Sequence, residues 1–387
     1  MNSTGIYFRY IRWLMIATGM WKIEEEFSIS KKRFYAVYCV IIQLIFISLI
    51  FSVALEVPAL LKSDSAAAVG NIGMMVFLGT VITKMLMCQS KPVVELLRFA
   101  LQSEFHLAAR ASTDVETIYK FHTKLNNNFI TLLITCILFM GLYVATIGDY
   151  NCYKYFKQNY NTTDKPLFLN YWYPFDRNKY YVLVLVDQNI RPTLGGLYAA
   201  IVNAFVNSII LFVRLQLKLL QYSFRNFGQF GSNEHDTSPN ILKMLCVKHQ
   251  ELIRYVGELN DHLNVIIFME YMVLSITFAG QILQITAGIE PFIASVLLTY
   301  TIIQLLMFAW NCNEIIIQST ELAKALFESK WYDYDTKIIV IAHIMMMRCQ
   351  KPLSLMIGRF GVMDLDVGIS RLKLAYSYAS VMTNGDK

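Results

Sequence analysis

The chemistry this chain offers most clearly is a line of polar groups along one side of an otherwise apolar helix. Asp366, Ser370, Lys373, Ser377, Ser380 and Asn384 recur at spacings of four, three, four, three and four residues. That rhythm places them on one α-helical face. Leu365, Val367, Ile369, Leu372, Leu374, Val381 and Met382 take the other faces. Carboxylate, ammonium, hydroxyl and amide groups in a row can hold water and pass ions where several such helices enclose a space in lipid. The same row can instead hydrogen-bond to neighbouring helices, and periodicity leaves both readings open. Nothing in the chain suggests bond-making chemistry. There is no G-x-x-x-x-G-K-S/T phosphate loop, no G-x-S-x-G elbow and no buried acid pair at helical spacing, so no catalytic residue is nominated. The seven cysteines (Cys39, Cys88, Cys136, Cys152, Cys246, Cys312 and Cys349) and the six histidines form no zinc spacing and no HExxH pattern. No metal and no cofactor are expected.

The elements that must position this stripe follow from composition. Hydrophobic residues make up 56% of the 387, aromatic residues 14% and charged residues only 16%, against roughly 25% charged in soluble domains. This is the composition of a membrane protein, with lipid as a partner. Apolar runs near the ~20 residues needed to cross a bilayer occur at Tyr35–Leu55, Ala66–Cys88, Phe129–Ile147, Gly195–Val213, Leu263–Gly288 and Pro291–Ala309. Lys84 and Glu270 are the only charges in them, each near a span end. The striped segment, roughly Phe360–Thr383, is the seventh span. Asp364, Asp366, Arg371 and Lys373 interrupt it enough for a hydropathy window to miss it. Gly5–Trp21 is apolar but contains Arg9 and Arg12, and reads as an interfacial helix.

Lys and Arg concentrate before the first span and in alternate loops, which favours a cytoplasmic N-terminus and, after seven spans, an extracellular C-terminus. The net charge of +6 is explained by that cytoplasmic face, without nucleic acid. Asn161-Thr162-Thr163 is a glycosylation acceptor in a loop this topology puts outside. That loop, Tyr150–Arg191, is long and aromatic. It suits a lid over a binding site, and equally a belt of rings at the membrane interface. On the cytoplasmic side, Leu245, Leu252 and Leu259 repeat every seven residues, so the fifth span is the upper part of a longer helix. Ile315, Ile316, Leu322 and Leu326 extend the sixth span to Trp331, and Lys337–Gln350 is helical until Pro352 stops it. This layer is either the foot of one bundle or an assembly surface. The chain divides into residues 1–220, with spans one to four and the outer loop, and residues 221–387, with the cytosolic helices and spans five to seven.

Several fragments occur in a familiar order. They are Trp310-Asn311-Cys312-Asn313-Glu314-Ile315, Gln318-Ser319, Glu321-Leu322-Ala323, Trp331-Tyr332, Gln350-Lys351-Pro352-Leu353 and Leu372-Lys373-Leu374-Ala375-Tyr376-Ser377-Tyr378. With Gly19-Met20-Trp21 and Trp172-Tyr173-Pro174-Phe175-Asp176, they resemble insect odorant receptors over the whole chain. The family's Ser-Tyr-Ser-Tyr-Phe-Thr ending stands here as Ala375-Tyr376-Ser377-Tyr378-Ala379-Ser380. Gln221–His262 leaves no room for the expanded loop of the family's co-receptor, so the resemblance is to an odorant-tuning subunit. Gustatory receptors share the architecture but carry a Thr-Tyr motif followed by Gln-Phe, which is absent here. A seven-helix receptor coupled to G proteins is the alternative on architecture alone. It needs the opposite orientation, and the chain lacks the Asp-Arg-Tyr triplet and the Asn-Pro-x-x-Tyr motif of that class.

The resemblance implies an all-α, seven-helix subunit of a non-selective cation channel in the plasma membrane of olfactory sensory neurons. It implies a heterotetramer with co-receptor subunits, a helical cytosolic anchor, and gating by a small volatile odorant. An outer-half ligand pocket would draw on Met74, Met75, Tyr143, Ile147, Tyr198, Val202, Phe205, Gln281 and Tyr300. The pore constriction would fall at Ala379, Ser380 and Thr383, with Leu245, Leu252, Leu259 and Trp331 in assembly.

Overall fold

The computed structural model describes residues 6–21, 29–63, 65–108, 113–158, 167, 169–226, 238–286 and 291–385. They form α1 (Arg9–Ala17), α2 (Ile29–Ser63), α3 (Ser65–Cys88), α4 (Lys91–Ala108), α5 (Thr113–Gln158), α6 (Tyr181–Arg225), α7 (Ser238–Thr286), α8 (Pro291–Glu328), α9 (Thr336–Cys349) and α10 (Leu365–Gly385). The fold is all-α. Among the described residues the β pairing is a single bridge, Met356 to Val362.

Six of these helices, α2, α3, α5, α6, α7 and α8, are long and apolar enough to cross a membrane. α10 has 21 residues, about 30 Å at 1.5 Å per residue, which matches a bilayer core. Its polar stripe keeps its mean hydropathy low. The 46 residues of α5, 45 of α6 and 49 of α7 reach roughly 70 Å each, so each runs well past the hydrocarbon.

Burial shows what solvent each helix needs. In α2, Phe46, Leu49, Val53 and Leu60 are buried along one face, while Phe34, Val37, Ile41, Leu44, Phe51 and Leu55 stand exposed. Protein covers one stripe, and the exposed apolar remainder suits hydrocarbon. α6 is the opposite case: from Ile201 to Leu220 almost every residue is buried, as expected of a helix enclosed by its own chain.

The chain gathers into two compact units. One comprises Met1–Phe8, Glu95–Asn126 and Val206–Lys387; the other comprises Arg9–Val94 and Asn127–Phe205. Compactness thus groups the chain differently from a sequential cut at 220/221, because α4, α5 and α6 each contribute to both.

In the unit Arg9–Val94 and Asn127–Phe205, α1 ends in a Schellman motif. Met20 N–H bonds Met15 O at 2.8 Å and Gly19 N–H bonds Ile16 O at 3.1 Å, with Gly19 at φ +69°. A Cβ on Gly19 would sit 2.9 Å from the Cys39 Cα, which explains glycine in the Gly19-Met20-Trp21 fragment. Three successive carbonyls left over at this helix end are taken by side chains: Tyr38 donates to Ala17 O, Tyr198 to Thr18 O and Gln43 to Gly19 O.

In the other unit, α7 carries a buried heptad. Leu242, His249, Val256 and Leu263 alternate with Leu245, Leu252, Leu259 and Ile266, and the helix packs against α8, α9 and α10. The chain between α9 and α10 is pinned to α7. Asn260 donates to Ser354 O and accepts from Met356 N–H, both at 2.8 Å, and Phe360 stacks on Phe268 at 5.2 Å.

Three sequence expectations change. The last span begins at Leu365, not Phe360, because the Asp364 carboxylate accepts the Val367 N–H at 2.8 Å and caps the helix. The outer loop is shorter than Tyr150–Arg191, since α5 continues to Gln158 and α6 starts at Tyr181. Asp187 and Arg191 pair one turn apart on α6, so their charges do not force a loop. Finally, α4 is a helix where only a basic connection was read; Val93, Leu96, Leu97 and Ala100 are its buried face.

Candidate functional site

The striped helix α10 lies against α7 and α8 by one side only. On that side Gly368 is buried, and a Cβ added to it would come 2.8 Å from the Ala309 Cβ of α8. Arg371 sits over the Tyr271 ring of α7, 4.2 Å from its centroid, and donates to the Tyr271 hydroxyl. Asp366, Ser370, Lys373 and Ser377 of the stripe are all exposed on the chain, and Ser380 is half-buried. Among the described residues the Ser377 hydroxyl is bonded locally, to Lys373 O at 2.9 Å. Asp366, Ser370, Lys373 and Ser377 are therefore, among the described residues, not spent on neighbouring helices. Ala379 and Thr383 lie in the same helix.

Behind α10, α8 is tied to α6 by a ladder of polar side chains, and this gives the motif residues physical roles. Asn311 donates to Asn207 at 3.1 Å, Glu314 pairs with Arg214 at 3.2 Å, and Gln221 donates to the side-chain and backbone oxygens of Gln318 at 3.0 and 2.8 Å. Arg225 and Glu328 close the ladder at 2.7 Å. Ser319 of the same helix accepts the Leu353 N–H at 2.9 Å. Glu270 of α7 receives a hydrogen bond from Gln304 of α8, so it is partnered and buried, not snorkelling.

The expected assembly leucines behave differently from expectation. Leu245, Leu252 and Leu259 are at most 7% exposed within the single chain; they fill its core and present no surface to a second subunit. The apolar surface of the same region is Val247, Val340, Ile344 and Met347, all at least half exposed. A groove lined by Lys243, Thr336, Lys337, Val340 and Ile341 runs beside it. Trp331 is half-buried and meets the His343 ring edge-on at 4.8 Å. Burial pushes the neighbouring α9 thiol, Cys349, up to about 12.

The nine expected ligand residues divide between the units. Met74, Met75, Tyr143, Ile147, Tyr198, Val202 and Phe205 belong to Arg9–Val94 and Asn127–Phe205, and Gln281 and Tyr300 to the unit with α10. Met74, Met75, Tyr143, Ile147, Gln281 and Tyr300 are half-buried, and Val202 and Phe205 are fully buried. Gln281 Oε1 is buried with no hydrogen-bond partner among the described residues. Tyr198 is committed to the fold: its ring stacks on Phe46 at 4.6 Å and its hydroxyl holds Thr18 O at 2.7 Å.

Sequence reading passed over a second cluster in the same unit as Met74. Arg191 lies 5.5 Å from the Tyr171 ring centre and 5.7 Å from that of Tyr173, and it bonds Asp187 and Ser52. Tyr173 donates to Asp187 at 2.9 Å, and the Tyr171 hydroxyl lies 3.8 Å from the Met74 sulfur. Burial raises both tyrosines well above the ordinary phenol range. Asn71 and the Ser52 carbonyl hold this stretch of chain at Asn170 and Trp172. The available signal is the Asp187/Arg191 spacing of four, one helical turn within the stretch read as an outer loop. Asn161 lies outside the described residues.

A multi-helix membrane protein with a polar-faced terminal helix over a buried polar ladder is the class these observations define. A family model described as 7tm Odorant receptor matches residues 64–376, and the chain belongs to that family. It is similar to Odorant receptor 10 of Aedes albopictus, 28% identical over 186 residues, covering 46% of this chain and 49% of the relative. It is also similar to the odorant receptor coreceptor of Ooceraea biroi, 26% identical over 145 residues, or 36% of this chain and 30% of that one. The chain thus spans about half the length, or less, of these curated relatives. The insect olfactory receptor OR5 from Machilis hrabei shares the fold with a TM-score of 0.76, at 14% identity over 97% of each chain, and has also been solved in complex with eugenol.

Proposed function

We propose that the chain is an odorant-tuning subunit of a cation channel in the plasma membrane of olfactory sensory neurons, with a cytoplasmic N-terminus. The exposed polar stripe of α10 carries this reading. A helix held on one side by α7 and α8, with Asp366, Ser370, Lys373 and Ser377 free on the other, is suited to line a water-filled path once several subunits surround it. Ala379, Ser380 and Thr383 are small or hydroxylated residues near the end of that path and form its constriction. Matches to co-receptor sequences support co-receptor subunits as partners in a heterotetramer. The exposed Ile344, Met347 and Val340 surface supplies the contact, since burial of apolar area outside lipid is favourable.

The ligand is a small volatile molecule bound through Met74, Met75, Tyr143, Ile147, Val202 and Phe205, which belong to one unit. Tyr198 supports this set from behind by holding α1. Each buried methylene of the ligand contributes roughly 0.8 kcal/mol. The eugenol complex of the Machilis hrabei receptor supports a ligand of this size. Asn161, on the outer side, is the glycosylation acceptor.

The test is co-expression with the co-receptor and cysteine substitution at 379, 380 and 383. A water-soluble thiol reagent applied with odorant should alter current or ion selectivity at one or more of these sites. If all are unaffected in responding channels, the pore assignment is wrong. Ile344→Asp and Met347→Asp should reduce co-purification with the co-receptor while leaving the monomer folded.

A further inference from the structure

Two polar atoms on the outer turns of α6 lack what burial demands. Gln188 is 1% exposed, and its Nε2 donates to Leu169 O at 2.6 Å. Only the amide nitrogen can donate, so that bond fixes the orientation of the side chain. Oε1 is left buried with no hydrogen-bond partner among the described residues. Three residues on, along the same helical face, Arg191 is 8% exposed. Its Nη1 donates to Ser52 Oγ at 2.8 Å and its Nη2 pairs with Asp187. Its Nε–H is buried without an acceptor. One orphan accepts and the other donates, and leaving either unpaired away from water is unfavourable. A hydroxyl both donates and accepts, so it is a small organic group with the pair of functions these two atoms call for.

We infer that Gln188 and Arg191 form the hydroxyl-reading end of an odorant site. A ligand alcohol or phenol donates to Gln188 Oε1 and accepts from Arg191 Nε–H, and its hydrocarbon part lies toward Tyr171, Tyr173 and Met74. This rests on the odorant-receptor reading above and specifies its ligand class. The aromatic rings beside the Arg191 guanidinium and the Met74 sulfur beside Tyr171 give the apolar part of such a ligand favourable contacts. The bond to Leu169 O also means that the residue reading the hydroxyl holds the outer chain segment in place.

The experiment compares matched sets of primary alcohols, their methyl ethers and the parent alkanes on the full receptor co-expressed with its co-receptor. Ethers accept but cannot donate, and alkanes do neither. Gln188→Met removes the acceptor while keeping side-chain length. It should raise the half-maximal concentration for alcohols about threefold to tenfold relative to ethers. Loss of the Leu169 bond affects all three sets alike and cancels in that ratio. Gln188→Glu, which the Arg191 guanidinium one turn away favours as the carboxylate, still accepts from the ligand hydroxyl and should restore the ratio. Arg191→Lys keeps a cation for Asp187 but lacks Nε–H. It should weaken alcohols and ethers together relative to alkanes. An unchanged alcohol-to-ether ratio in responding Gln188→Met channels overturns the inference and leaves the two atoms to buried water. Silence of the unmodified receptor across a broad odorant panel overturns the receptor reading and the inference with it.

Discussion

α6 and α10 both carry polar residues through the membrane protein, and they treat them in opposite ways. On α6, Asn207, Arg214 and Gln221 follow one another at intervals of seven, and each meets a partner on α8. On α10, Asp366, Ser370, Lys373 and Ser377 are exposed. The difference follows from what surrounds each helix. A helix enclosed by protein has no water to solvate its polar groups, so they persist only when paired. A helix covered on one side can leave its polar face to water or to another subunit. Polar periodicity in a membrane helix therefore has two meanings, and burial of the remaining faces separates them.

The largest effect expected is from breaking the buried rung of the α6 ladder. Glu314 and Arg214 have side chains only 12% and 16% exposed, and Gln318 also donates to Glu314 at 3.0 Å. Glu314→Leu leaves the guanidinium buried and unpaired, at a cost of about 3–5 kcal/mol. Thermal melts of purified receptor and counts of surface-labelled protein should both show the loss. Arg214→Leu/Glu314→Leu should recover most of it, because replacing both charges by apolar groups removes the orphan. Equal instability in the single and double variants would mean that the rung acts through shape, not charge.

Next comes the inner face of α10. A side chain at Gly368 meets Ala309 at a distance no real Cβ contact shows, so Gly368→Val should cost about 1–3 kcal/mol through overpacking. Gly368→Ala combined with Ala309→Gly should be nearly neutral. If Gly368→Val melts like the unmodified protein, the close approach of α10 and α8 is not maintained.

Most of the fold was legible in the sequence. The seven spans, the long α7 with its leucine heptad, the short N-terminal helix and the stop before Pro352 all follow from periodicity and capping residues. The partners of the faces were not legible. Spacing puts Leu245, Leu252 and Leu259 on one side of α7, but it cannot say whether that side meets the same chain or another, and the structure buries it in the same chain. The motif Asn311, Glu314 and Gln318 was recognised by resemblance, whereas its physical content, a ladder to α6, needs three dimensions. At the outer end, Arg191 reads as the end of a loop because sequence alone does not show Asp187, Tyr171, Tyr173 and Ser52 arriving to satisfy it. α4 is a different kind of miss. Its apolar spacing was present, and the basic residues of the segment drew attention to topology instead.

The exposed end of the ladder sharpens the comparison within α6 itself. Arg225 and Glu328 sit 44% and 41% exposed at 2.7 Å, a shorter contact than the buried rung. Distance alone would rank it stronger. Solvent screening reverses that order, and Glu328→Gln should cost about 0–1 kcal/mol, shrinking further in high salt. Melts of Glu328→Gln and Glu314→Leu at low and high salt test this directly. A salt-insensitive loss at Glu328 as large as that at Glu314 would put both rungs in one dielectric.

The smallest effect on stability belongs to the stripe of α10, and there a null result on stability carries the argument. Ser370 and Ser377 are exposed, and among the described residues the Ser377 hydroxyl bonds a carbonyl of its own helix. Ser370→Ala and Ser377→Ala should therefore shift stability by less than about 0.5 kcal/mol. The same positions should be open to water. At pH 7.4 an exposed cysteine with an ordinary value of about 8.5 is roughly a tenth thiolate. Cys349, raised to about 12 by burial, is ionised more than a thousandfold less on the same reckoning. Ser377→Cys should accordingly react with a charged thiol reagent on the order of a thousand times faster than Cys349. Its rate should climb as pH rises toward 8.5 and level off above it, while Cys349 stays unlabelled throughout. Peptide-resolved labelling of the intact channel measures both sites in one sample. Slow, pH-insensitive labelling at Ser377→Cys would show that assembly buries the stripe between subunits, and α10 would then resemble α6 with its partners supplied from outside the chain.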